Sequence, residues 1–141
     1  ALIDALQKKE QEREKAREVP KTEPTNAFDQ GRSAFKEKDY DAAIDSLTQY
    51  LKFPKGKNVE EALFLRGEAY HAKEQHEKAI LDYSNLQKRF PKSKSLPKAL
   101  LRIGQSFDAM GLKADAKGFY QELVDKFPKS AEAKTAKSKL K

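Results

Sequence analysis

At 141 residues the chain has the size of one domain, enough to bury a single continuous core and not two. It holds 29 Lys and Arg against 22 Asp and Glu and no cysteine, so disulfides, thiolate metal sites and cysteine nucleophiles are excluded. The net charge of +7 is uneven: residues 1–24 carry six of each sign, residues 25–128 carry 18 basic against 15 acidic, and residues 129–141 carry five against one, a mixed interior that disfavours nucleic-acid binding.

No apolar run approaches the ~20 residues that cross a bilayer, and no signal peptide is visible. The start at Ala-Leu-Ile without Met reads as a mature form or an excised fragment. Residues 1–18 begin with Ala1, Leu2, Ile3, Ala5 and Leu6 and turn strongly charged. The pairs Glu10 with Arg13 and Glu14 with Arg17 support a helix by only ~0.2–0.5 kcal/mol each. The apolar stripe fades after Leu6, and a coiled coil needs several heptads, so these residues by themselves predict a frayed, charged helix with no oligomerising role. Pro20 and Pro24 mark a linker that closes the segment 1–24.

From residue 25 the chain repeats. Phe-Pro-Lys stands at Phe53-Pro54-Lys55, Phe90-Pro91-Lys92 and Phe127-Pro128-Lys129, a period of 37. Gly31, Gly67 and Gly104 keep nearly the same interval, as do Ala43, Ala79 and Ala116, and Leu47, Tyr83 and Tyr120. Apolar residues around each glycine follow helical spacing, which predicts a first helix, A, over 26–37, 59–73 and 96–110. A second helix, B, is predicted over 40–52, 76–89 and 113–126. A mid-helix glycine costs roughly 0.5–1 kcal/mol relative to alanine. Three at one phase require compensation, and close approach of two helices supplies it, with the glycine of A facing the alanine of B. Lys38-Asp39 and Gly111 provide breakers, Asn58-Val59-Glu60-Glu61 has the spacing of a capping box, and Pro54, Pro91 and Pro128 end the B helices. The units are about 25–57, 58–94 and 95–129. After them Ser130 caps a helix over 130–141, where Ala133, Ala136 and Leu140 cover the last apolar face and Lys134, Lys137, Lys139 and Lys141 face water.

The series Leu100, Ile103-Gly104, Phe107, Ala116, Tyr120, Pro128 resembles the tetratricopeptide repeat, and Leu63, Gly67, Tyr70, Ala79, Tyr83, Pro91 repeats it. The first unit departs, with Ala27 for the large residue and Ala34 for the aromatic. The resemblance implies an all-α, right-handed α-solenoid of three helical hairpins plus a capping helix, behind a charged N-terminal helix and linker. The long period and the Phe-Pro-Lys-Ser phrase look like the repeats of bacterial envelope proteins, in particular the C-terminal domain of the YbgF/CpoB family of Tol-Pal system adaptors. That likeness implies a periplasmic protein that contacts TolA and the peptidoglycan-synthesis machinery, with residues 1–18 as the end of an upstream trimeric coiled coil. Outer-membrane assembly lipoproteins of the BamD type have similar repeats but carry a lipid-bearing cysteine absent here.

Catalytic chemistry is not expected. His71 and His76 are five apart and not four, and no HExxH, P-loop, GxGxxG or nucleophile elbow occurs, so neither a metal nor a cofactor is expected. A concave surface remains. Stacked hairpins put the A helices inside, and counting from the glycines exposes Thr25, Phe28, Arg32 and Phe35 in unit one, Glu61, Phe64, Glu68 and His71 in unit two, and Lys98, Leu101, Gln105 and Asp108 in unit three. A partner helix or extended segment would set an apolar row on Phe28, Phe35, Phe64 and Leu101, oriented by Arg32, Glu68 and Lys98. The competing readings make Phe28 and Phe35 core residues of an irregular first unit, or fold the N-terminal segment back over them. The Lys and Asn set that clamps chaperone tails in relatives of this family is absent, which disfavours an acidic C-terminal peptide. Nucleic-acid or anionic-surface binding through the lysine tail is the reading from a different class.

Overall fold

The computed structural model describes residues 1–141. The helices are α1 (Leu2–Ala16), α2 (Thr25–Lys36), α3 (Tyr40–Leu51), α4 (Val59–Ala72), α5 (His76–Arg89), α6 (Leu96–Ala109), α7 (Lys113–Lys126) and α8 (Ala131–Leu140). The expected ends of α2 to α8 are met to within one residue. Helices α2/α3, α4/α5 and α6/α7 form three hairpins stacked in sequence, and α8 closes the last against α7 and α6. No helix is long and apolar enough to cross a membrane.

Each hairpin turn is built the same way. Lys38, Glu74 and Gly111 occupy the left-handed region with φ of 62°, 59° and 79°. The residue after each donates back across the last turn: Asp39 N to Ala34 O, Gln75 N to Tyr70 O and Leu112 N to Phe107 O, all at 2.9 Å. These are Schellman closures, in which a residue with positive φ reverses the chain and satisfies orphaned carbonyls. Asp39 then caps α3 by accepting from Ala42 N at 3.2 Å.

The Phe-Pro-Lys phrase forms the opposite connection. Gly56 N, Ser93 N and Ser130 N donate to Phe53 O, Phe90 O and Phe127 O at 3.4, 3.0 and 3.0 Å. Each phrase is thus a hydrogen-bonded β-turn with proline at its second position, where a fixed φ is favourable, and lysine at its third. Phe90 and Phe127 are pushed out of helical geometry, to φ −130° and −132°, by the prolines that follow. The expected capping box at Asn58 does not form: its side chain makes no cap bond. Its backbone N–H is taken by the Tyr50 hydroxyl at 2.8 Å, and Glu61 turns instead to Arg32.

The three glycines are packing sites, and the atoms nearest each missing Cβ belong to a larger residue than the alanine. A Cβ on Gly67 would lie 2.8 Å from Tyr83 Cε1, one on Gly31 would lie 2.7 Å from Leu47 Cγ, and one on Gly104 would overlap the Tyr120 ring. The contact falls one turn beyond the alanine, because a large side chain can lie across the gap that the missing Cβ leaves. Ala43, Ala79 and Ala116 are themselves buried in the same interface. Burying an aromatic ring contributes about 1.5–3 kcal/mol, which exceeds the roughly 0.5–1 kcal/mol that the glycine costs.

The N-terminal segment is not a frayed end. Helix α1 lies against α5, Leu2 and Ile3 pack against the core, and Gln7 Nε2 donates to Asn85 Oδ1 at 3.5 Å. Glu10 pairs with both Arg13 and Arg17, at 3.9 and 3.1 Å, in place of the expected Glu14–Arg17 pair. The linker is fastened as well: Glu23 accepts from the Tyr50 hydroxyl at 2.7 Å and from Lys57 N at 3.3 Å.

Candidate partner-binding groove

Helices α2, α4, α6 and α8 touch one another in succession, whereas α3, α5 and α7 do not touch one another. A layer in mutual contact backed by a splayed layer curves toward the first, so the A helices line the concave wall.

The residues expected on that wall divide into two groups. Arg32, Glu61, Lys98 and Gln105 do face it, and Arg32 Nε meets Glu61 Oε2 at 3.3 Å between α2 and α4. Glu68 is the centre of a network: it accepts from the Tyr83 hydroxyl at 2.5 Å and from Arg102 Nε at 3.1 Å, and Lys98 Nζ stands 3.8 Å away. Arg102 also donates to Gln105 Oε1 at 3.2 Å. In the third hairpin Asp108 accepts from the Tyr120 hydroxyl at 2.7 Å and from Lys113 at 3.2 Å. Partial burial works against the charged Asp108 carboxylate, but these donors outweigh it and hold its pKa below the usual value.

The expected apolar row does not form. Phe28 is 3% exposed with its ring 5.2 Å from that of Tyr50, and Leu101 is 9% exposed. Phe35 sits edge-on to Tyr40 at 5.8 Å within its own hairpin, and Phe64 is half-buried, 6.3 Å from the Tyr83 ring. The cause is geometric. Residues three before and four after a glycine share its face of the helix, so they turn toward helix B with it. His71 and Asp108, at the same phase, are likewise half-buried. Two before each glycine, one step off that face, Asp29 is exposed and Leu65 and Arg102 are half-buried. Thr25 is exposed at the start of α2.

His71 keeps a buried Nδ1 without a partner, and burial, reinforced by the Arg102 charge and partly offset by Glu68, lowers its pKa below the usual histidine value. No group of three or more metal-ligating side chains converges anywhere. On the outer face a cleft of about 220 Å³ runs beneath α1, lined by Gln7, Glu10, Arg66, Asn85 and Lys88. It is not part of the concave wall. Beside it is an ion pair that the helical pattern of α4 gave no sign of: Arg66 Nε and Nη2 donate to Asp82 at 2.8 and 2.6 Å, and Nη1 donates to Thr48 Oγ1 at 3.2 Å. Burial disfavours the guanidinium charge, and the Asp82 carboxylate outweighs it, so the Arg66 pKa is raised. Burial likewise pushes the Asp82 carboxyl up, with Arg66 opposing.

Two family profiles described as Tetratricopeptide repeat match residues 28–94 and 98–130. No curated protein matches the chain by sequence. Among solved structures, the Arabidopsis OM64 TPR domain is 20% identical with a TM-score of 0.68, over 82% of this chain and 92% of that one. The second TPR domain of human RPAP3, in complex with the HSP70 peptide SGPTIEEVD, is 24% identical with a TM-score of 0.67, over 81% and 91%. The N-terminal domain of stress-induced protein-1 from C. elegans is 16% identical with a TM-score of 0.68, over 100% and 98%. With three stacked hairpins whose glycine, alanine and proline positions recur in the matched segments, the chain belongs to the tetratricopeptide repeat family.

Proposed function

We infer that this protein is a non-enzymatic adaptor that holds a segment of a partner protein against its concave wall. The observation that carries this is the charged stripe on α2, α4 and α6, where the half-buried Leu65 offers a partial apolar contact between the fixed charges of Arg32, Glu61, Lys98 and Arg102. The RPAP3 domain supports the reading, since it holds a peptide on a fold of this kind. An acidic peptide tail has a cost here that follows from the pairing: Lys98 and Arg102 already engage Glu68, so an incoming carboxylate would have to displace it. A partner with mixed charge around an apolar residue suits this wall better.

The likeness to the YbgF/CpoB family supports a finer assignment: a periplasmic protein that coordinates Tol-Pal function with peptidoglycan synthesis, with TolA and synthesis proteins as partners. A scaffold of another assembly machine, of the BamD type or cytosolic, is the second reading within the same class. The test is calorimetric titration of a purified TolA fragment into this protein and into its Leu65→Glu and Arg102→Glu variants. Weakened binding at an unchanged melting temperature supports the groove and the partner together. Binding that both variants leave intact overturns the groove, and no binding to the parent protein overturns the partner.

A further inference from the structure

In each Phe-Pro-Lys phrase proline stops the helix and phenylalanine packs, but Lys55, Lys92 and Lys129 are exposed and in no ion pair. Because the hairpins stack in one direction, the three loops that lead from one unit to the next, 52–58, 90–95 and 127–130, emerge along one edge, and the three hairpin turns emerge along the other. The three loops hold six lysines, Lys52, Lys55, Lys57, Lys92, Lys94 and Lys129, and no carboxylate of their own; the one that reaches the first loop, Glu23 of the linker, is engaged by the Tyr50 hydroxyl and Lys57 N. The turn edge, residues 37–39, 73–75 and 110–112, holds two lysines and three carboxylates, and there Lys73 is paired with Asp41.

We propose that the loop edge docks on an anionic lipid surface. The same hydrogen-bonded turn presents the third-position lysine in every loop, and Arg89 Nη2 ties the first loop to the end of α5 by donating to Pro54 O at 2.8 Å. The charges therefore form a row on fixed backbone and do not lie on a loose tail. A row of charges along one edge can meet a surface at several points at once. Lysines are compact point charges suited to headgroup phosphates, and the six include no arginine for paired contacts. None of the three loops exposes an aromatic ring for base stacking, which separates this edge from a nucleic-acid site. The carboxylates that follow the loops, Glu60, Glu61 and Glu132, open the next helices, and Glu61 is held by Arg32. Such an edge would lay the protein on a membrane with the concave wall open at its side.

The experiment is co-sedimentation of the full chain with phosphatidylcholine vesicles, with and without phosphatidylserine. Binding is expected only to the anionic vesicles and should fall as salt is raised, since the Debye length shortens. Each lysine near an anionic surface contributes about fivefold in affinity, so Lys55→Ser/Lys92→Ser/Lys129→Ser together should weaken binding on the order of a hundredfold. All three side chains are solvent-exposed, and an unchanged melting temperature shows that the variant folds. A tail variant, Lys134→Ser/Lys137→Ser/Lys141→Ser, should lose much less. The proposal is overturned by equal sedimentation with neutral vesicles, by loss with the tail variant alone, or by duplex DNA binding without vesicle binding.

Discussion

Tyr83 lies flat across Gly67 and donates its hydroxyl to Glu68 Oε1 at 2.5 Å, so a residue of helix α5 reaches through the gap left by one glycine to anchor a carboxylate on the concave wall. Tyr120 repeats the arrangement over Gly104, ending on Asp108. Core packing and groove charge are therefore fixed by the same side chain. Burial, together with the neighbouring carboxylate, raises the Tyr83 pKa, which keeps the hydroxyl a donor across the ordinary pH range.

Gly67→Ala should destabilise the protein by about 1–3 kcal/mol, because its Cβ would sit 2.8 Å from a fully buried ring that has no room to retreat. Gly118→Ala makes the contrast. That glycine is exposed within α7 with nothing near its missing Cβ, so alanine should stabilise by roughly 0.5–1 kcal/mol. Urea denaturation of both variants checks the pair, and equal signs would refute the account.

Lys38 and Glu74 hold the left-handed turn that Gly111 holds without strain. Lys38→Gly and Glu74→Gly should each raise stability by up to about 1 kcal/mol, while Gly111→Ala should lower it by about 1 kcal/mol. Thermal melts of the three single variants measure this directly.

The ion pair between Arg66 and Asp82 joins α4 to α5, and Asp82 is 1% exposed. Asp82→Ala should cost about 3–5 kcal/mol, since it strands a buried guanidinium. Arg66→Met/Asp82→Leu should cost far less than that single change, because no charge is left unpaired. A double-mutant cycle by chemical denaturation reads the difference, and a double variant as unstable as Asp82→Ala would show that shape and not charge governs the site.

His71 titrates below its unfolded value, near 6.5, because burial and Arg102 disfavour its cation. As pH falls through that value the unfolded chain takes up a proton first, so stability should be flat above about pH 7 and decline as pH drops toward the lower folded value. Glu68, Arg102 and His76 are the charged or titratable groups around it. His71→Gln should flatten this part of the profile in denaturation midpoints measured from pH 5 to 8, a range set by the unfolded histidine value. A variant whose slope matches the parent would assign the effect elsewhere.

The helices, their order and the closing helix α8 were legible in the sequence, because proline, the turn residues and the 3.6-residue apolar period act locally and recur three times. What lay across each glycine was not, since alanine and tyrosine on helix B are one turn apart and only the depth of interhelical contact selects between them. The same ambiguity, a rotation of one residue about the A helices, drew Phe28 and Leu101 into the core and left Leu65 and Arg102 half-buried. The docking of α1 and the burial of Arg66 with Asp82 were decided by tertiary structure alone, because contacts between distant segments leave no period in the sequence.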